Sequence, residues 1–179
     1  MNKQDIYNYL KENNIWHEIT EHKAVYNMAE LAEVDTPYPE ADAKNLFVRD
    51  DKKQHYYLLT VQGNKRVDLK AFRKAQQTRP LTFASSEELL DKLGEMPLPP
   101  YIHEKLADQL RLPPGAETPL GLLNSDVHEV SAYFDEELLT GSGLVGVHPN
   151  ENTATVWLKT ADLIQLLREH GCEVIVTRL

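Results

Sequence analysis

Apolar side chains recur at Ile6, Tyr9, Leu10 and Ile15, a helical spacing that predicts an amphipathic helix over 4–13 running into a short strand at 16–20. A second short helix, MAELAEV, has Asn27 as its candidate cap and stops before the turn-rich TPYPE. The pattern then changes period. KNLFVRD and HYYLLTVQ are β-branched and aromatic runs joined by the charged turn DDKKQ, which predicts a hairpin whose second strand breaks at Gly63 and Asn64. Residues 68–76 read as a helix and LTFA as a strand. Ser85 with Glu88 forms a capping box for SSEELLDKLG, with Gly94 as its stop.

Pro97, Pro99, Pro100, Pro113 and Pro114 surround a small helical pattern at Ile102, Leu106 and Leu110, so the stretch reads as a surface excursion. PGAETP follows as a loop, GLLN as a short buried turn or strand, and VHEVSAYFDEELL as a strand entering a turn. GSGLVGVHPNENT, rich in glycine, histidine and asparagine, reads as an irregular loop ahead of the strand ATVWLKT, and such loops carry chemistry. Thr160 is the candidate cap of ADLIQLLREHG, whose Leu163, Ile164, Leu166 and Leu167 share one side, and CEVIVTRL closes the chain as a strand. Hairpins interleaved with helices predict the α+β kind of α/β fold: a mixed, largely antiparallel sheet surrounded by helices rather than a doubly wound parallel one.

At 179 residues with 41% hydrophobic positions, the chain suits one domain over 1–179. Cys172 is the single cysteine, which excludes an intrachain disulfide and a CxxC pair and favours a reducing cytoplasm. No apolar run approaches the ~18 residues of a membrane span, and the polar amino terminus lacks a leader pattern, so the expectation is a soluble, untargeted protein without a membrane partner.

The net charge of -9 argues against a nucleic-acid partner until its distribution is considered. Lys52, Lys53, Lys65, Arg66, Lys70, Arg73, Lys74 and Arg79 fall in one stretch whose sole acid is Asp68. That excess of positive charge marks either one docking face for an anionic partner or an ordinary solvated helix face. The seven histidines show no HxxxH or HExxH spacing and have no cysteine pair nearby, so a zinc site is not expected. GxSxG, a phosphate loop and a dinucleotide fingerprint are absent as well. An enzyme with this sequence is expected to work without a metal, a bound cofactor or a covalent intermediate.

KNLFVRD, followed by LLTVQGNKRVDLKAF and LTFASSEELL, resembles the YbaK-type aminoacyl-tRNA editing family, in the branch of stand-alone editing domains associated with prolyl-tRNA synthetase. TPLGLLN, GVHPNENTATVWL, the terminal ADLIQLL to EVIVTRL and the early EHKAV agree in order, so the resemblance spans nearly the whole chain. It implies a cytosolic deacylase acting in trans on mischarged tRNA, alanyl-tRNA(Pro) first. Its partners would be the tRNA(Pro) acceptor end and prolyl-tRNA synthetase. Related branches take cysteinyl, seryl or threonyl esters, and a module that binds the acceptor end without turnover is the rival from another class. Relatives in the resemblance pass more directly from the SSEELL helix to the PGAETP-like loop, which makes about 95–112 a Pro-rich surface insertion.

The resemblance places Lys44, Asn45 and His148 at the reacting centre. Lys44 matches the family's editing lysine; with an ordinary pKa of about 10.4 it is a cation suited to charge stabilisation rather than a base. His148, in GVHP, matches a histidine lining the amino-acid pocket, and Gly146 and Pro149 would fix its backbone. His22 and Tyr26 fall at the pocket entrance. Asn45, Asn152, Thr153 and Thr155 offer hydrogen bonds to ribose and amino group, although Thr155 fits a solvent-facing strand position equally. Phe47 suits either the apolar lining or the core. Lys65, Arg66, Lys70, Arg73 and Lys74 are the candidate tRNA contacts.

Overall fold

The computed structural model describes residues 1–25, 28–93, 117–124 and 129–179. The Pro-rich insertion, the Gly94 stop, the Asn27 cap and Tyr26 lie outside them. In chain order the elements are α1 (Lys3–Glu12), β1 (His17–Glu21), α2 (Met28–Leu31), β2 (Ala43–Asp50), β3 (Tyr56–Gln62), α3 (Leu69–Gln76), β4 (Leu81–Phe83), α4 (Ser86–Leu93), β5 (Val130–Asp135), β6 (Leu144–Val147), β7 (Ala154–Lys159), α5 (Thr160–Glu169) and β8 (Val174–Thr177).

The strands form two sheets. The larger has the order β4-β2-β3-β5-β8, antiparallel across β4-β2-β3 and parallel across β3-β5-β8. The smaller, β1-β7-β6, is antiparallel throughout. A single bridge from Asp42 to Gly146 links the two at the start of β2.

Alternation explains why β2 and β3 read as almost continuously apolar, since both faces of the larger sheet are covered. Phe47, Tyr56 and Leu58 face the main core with Ile6 and Leu10 of α1, Leu89 and Leu93 of α4, Leu163, Leu166 and Leu167 of α5, and the inward Val145, Val147, Val156 and Leu158 of the smaller sheet. Leu46, Val48, Tyr57 and Leu59 face a second core closed by Phe72 of α3 and by Tyr133. The layers are therefore α3, the larger sheet, and then the smaller sheet with the remaining long helices.

Local chemistry sets the helix starts. Asn2 and Asp5 make a reciprocal capping box on α1, Asp68 accepts from the backbone of Lys70 and Ala71 at α3, and Ser85 and Glu88 exchange bonds at α4. Two expectations change. Thr160 is not the cap of α5 but its first residue, because its hydroxyl is spent donating to the Leu138 carbonyl rather than accepting from the N–H groups of the first helical turn. The supposed irregular loop from 141 contains β6, because Val145 and Val147 bury their side chains while the register pairs Gly146 with Trp157. GLLN lies in a 3-10 helix, Pro119–Asn124.

Candidate active site

The site lies on the face of the smaller sheet turned away from the core. Thr155 and Trp157 of β7, Glu18 and Thr20 of β1 and Gly146 of β6 share that face by alternation. The indole N–H of Trp157 donates to Thr20 Oγ1 at 2.9 Å, and its ring meets Tyr38 edge-on at 5.7 Å between centroids. Tyr38 in turn donates to Glu18 at 3.0 Å. Gly146 is required here by space: a Cβ at this position would fall 2.4 Å from the Trp157 ring.

His148 directly follows Val147, the last residue of β6 paired with β7, and lies close enough to His22 to interact with it electrostatically. His22 completes the group, with its Nε2 3.0 Å from Thr155 Oγ1. Its Nδ1 lies 2.7 Å from the Lys23 carbonyl and donates there. Burial, and then the charge of nearby His22, push His148 down to about 4, so its imidazole is neutral at physiological pH.

The backbone around this group is held by several of the polar residues that the sequence nominated. Asn152 exchanges bonds with Val25, its side-chain amide donating to the Val25 carbonyl and its own carbonyl accepting from the Val25 N–H, both at 3.1 Å. The Thr153 carbonyl accepts from His22 N–H at 3.0 Å, and the Thr153 hydroxyl accepts from Lys3 at 3.1 Å. These two residues clamp the segment that carries His22. Pro149 is buried beside His148.

Lys44 and Asn45, adjacent on β2, point to opposite faces of the larger sheet. Asn45 is buried and uses both ends: its amide donates to the Glu117 carbonyl at 2.9 Å, and its oxygen accepts from Thr60 at 2.8 Å. Thr118, next to Glu117, donates to the His148 carbonyl at 2.6 Å. Asn45 is thus joined to the histidine through one turn of backbone. Sequence reasoning passed over Thr60, Glu117 and Thr118, and only the β2–β3 register, which sets Asn45 opposite Thr60, could have pointed to one of them. The Lys44 ammonium donates to the Lys65 carbonyl. Burial, and secondarily Arg66, lower the pKa of Lys44. Phe47 is buried in the main core, stacked on Tyr56 at 5.7 Å.

The basic stretch divides. Lys65 forms ion pairs with Asp135 at 2.6 Å and Glu137 at 2.9 Å, Arg79 pairs with Asp51, and Lys53 with Glu88. Arg66 and, on α3, Lys70, Arg73 and Lys74 are exposed and form no ion pair among the described residues. Among the described residues no group of three or more His, Cys, Asp or Glu is placed to hold a metal, and no helix is long and apolar enough to cross a membrane.

Residues 22–166 match the aminoacyl-tRNA editing domain family, a span that holds His22, Lys44, His148 and Thr155. The chain belongs to that family, and its activity in general terms is removal of an amino acid from tRNA. Among individual proteins it is 33% identical to the Prolyl-tRNA editing protein ProX of Acetoanaerobium sticklandii, over 94% of this chain and 92% of that one. It is 29% identical to the Prolyl-tRNA synthetase associated domain-containing protein 1 of Danio rerio, over 93% and 82%. The fold is shared with a crystal structure of a candidate trans-editing enzyme for prolyl tRNA synthetase, with TM-score 0.66, 19% identity and coverage of 99% and 96%.

Proposed function

We propose that this protein hydrolyses the ester of alanyl-tRNA(Pro) in trans, without a metal, in the cytoplasm. The observation that carries the reading is the neutral His148 near His22, which is itself hydrogen-bonded to Thr155, with the cationic Lys44 two residues from the Asp42–Gly146 bridge between the sheets. The likeness to a prolyl-tRNA editing protein supports the choice of tRNA.

An aminoacyl ester is already activated, so hydrolysis needs a placed water and compensation for charge growing on the carbonyl oxygen. Lys44 supplies that compensation, or binds the terminal phosphate; an ammonium has three donors and the Lys65 carbonyl occupies one. His148 and Thr155 form the neutral polar wall against the amino acid, and Asn45 fixes that wall through the turn at Glu117 and Thr118. Arg66, Lys70, Arg73 and Lys74 meet the tRNA backbone, while Lys65 holds the loop on which Lys44 rests.

Editing by a second site follows from binding energetics. A synthetase pocket shaped for proline rejects the smaller alanine by only ~1 to 3 kcal/mol per missing methylene, whereas a pocket fitted to a methyl group excludes proline by bulk.

The test is hydrolysis of alanyl-, prolyl-, cysteinyl- and seryl-tRNA(Pro) by the native protein and by Lys44→Ala, with a chelator present. Selective loss of the alanyl ester, absent in the variant, is expected. Preference for another ester would reassign the substrate, and tight tRNA binding with no turnover would make the protein a binding module. Loss of activity in chelator alone would end the metal-free reading.

A further inference from the structure

Asp42 lies where the two sheets meet. It precedes Lys44 by two residues on one side, and on the other its backbone bridges to Gly146, two residues before His148. Its own carbonyl accepts from Gly63 N–H at 2.8 Å, which pins the chain at this point. The side chain has no such anchor. Asp42 is 8% exposed, its Oδ1 is buried, and neither carboxylate oxygen has a hydrogen-bond or ion-pair partner among the described residues. Lys44, the nearest cation in sequence, is committed to the Lys65 carbonyl. Burial, and then Glu40, push the Asp42 carboxyl up to about 6.

A buried carboxylate without a partner costs free energy, and such a cost persists where a ligand supplies the missing charge. The end of an aminoacyl-tRNA offers one group of the right sign. Its phosphates are anionic and repel a carboxylate, and its ribose and adenine are neutral. The α-ammonium of the amino acid is the single cation, attached one carbon from the ester carbonyl that Lys44 and His148 would flank. We infer that Asp42 receives the α-ammonium group of the aminoacyl ester, so that the site selects an amino acid carrying a free amino group over its hydroxy or N-acylated counterpart. This rests on the deacylase reading of the same site and adds the group that recognises the amino acid rather than its side chain.

Binding separates this inference from that reading, because no turnover is needed. The probes are two amide-linked, non-hydrolysable 3′-adenosine analogues, one bearing alanine and the other lactate, titrated against the native protein and Asp42→Asn. The native protein should favour the alanyl analogue by roughly tenfold or more, and the variant should favour neither while keeping its affinity for the lactyl analogue. Removing an unpaired buried charge at constant shape should also leave the melting temperature unchanged or raised. A preference that survives in Asp42→Asn overturns the assignment. So does an equal loss of affinity for both analogues with a lowered melting temperature, which would make Asp42 a structural residue. Inactivity of the native protein on alanyl-tRNA(Pro) with the binding preference intact would sink the substrate assignment and leave Asp42 in place.

Discussion

The ammonium of Lys65 lies 2.6 Å from the carboxylate of Asp135, a residue with no exposed surface, and the Lys65 carbonyl receives the ammonium of Lys44. One residue of the basic stretch therefore ties the interior of the larger sheet to the cation of the candidate site. Its side chain is consumed by folding, and its backbone serves the site. Asp135→Asn leaves the lysine without its buried counterion and should cost about 3–5 kcal/mol, read as a shift of the urea midpoint at constant slope. A change under about 1 kcal/mol would place that pair among those with no net effect.

Charge reversal on α3 gives a different signature. Arg73 and Lys74 are exposed and form no ion pair among the described residues, so Arg73→Glu with Lys74→Glu should weaken tRNA binding and flatten the dependence of log Kd on log salt by roughly one to two units. Lys65→Met should weaken the fold while leaving that slope close to native, since its charge is already neutralised by Asp135 and Glu137. An unchanged slope in the α3 variant would move the tRNA contact elsewhere.

Gly146 is a steric requirement of Trp157. In Gly146→Ala the new methyl would lie 2.4 Å from the indole, so either the ring or β6 must shift. Destabilisation of about 1–3 kcal/mol is expected, with a changed tryptophan fluorescence reporting the displaced ring and a loss of deacylation, because His148 follows two residues later on the same strand edge. Full activity with native fluorescence would show that the sheet absorbs the methyl without moving the site.

The depressed pKa of His148 predicts acid sensitivity. Its folded value of about 4 lies below the ordinary 6.5, so between these limits the unfolded chain binds a proton that the folded chain refuses. The stability present above pH 6.5 should be lost as pH falls toward 4, by roughly 3 kcal/mol at most. His148→Gln should show a shallower decline in melting temperature over that range. Parallel declines in the two proteins would assign the acid sensitivity to other groups.

The hairpin of β2 and β3, the amphipathic α1 and α5 and the boxes at Asn2 and Ser85 depend on neighbours within a few residues, or on a period sustained along the strand. They are the parts of this fold that local patterning expresses most directly. β6 is not of that kind. A four-residue strand interrupted by glycine and followed by His148 and Pro149 has the composition of a loop, and it becomes a strand because β7 supplies hydrogen bonds and the core accepts Val145 and Val147. Thr160 looks like a cap for the same reason: its true partner, the Leu138 carbonyl, is distant in sequence.

Taken by itself, the amino-acid sequence determined that this is one α+β domain with a basic segment, that Lys44 and His148 are its candidate chemical groups, and which known family it resembles. Those properties reside in composition, local period and motif order. The tertiary structure decided how the charges are spent and which polar groups are neighbours. It set Lys65 against Asp135, His22 against Thr155, Asn45 behind the backbone at Glu117, and the Asp42 side chain without a partner among the described residues. Each of these depends on strand register and on burial between layers, and neither is written in any short stretch of chain, because both arise only when distant segments are brought together and water is removed.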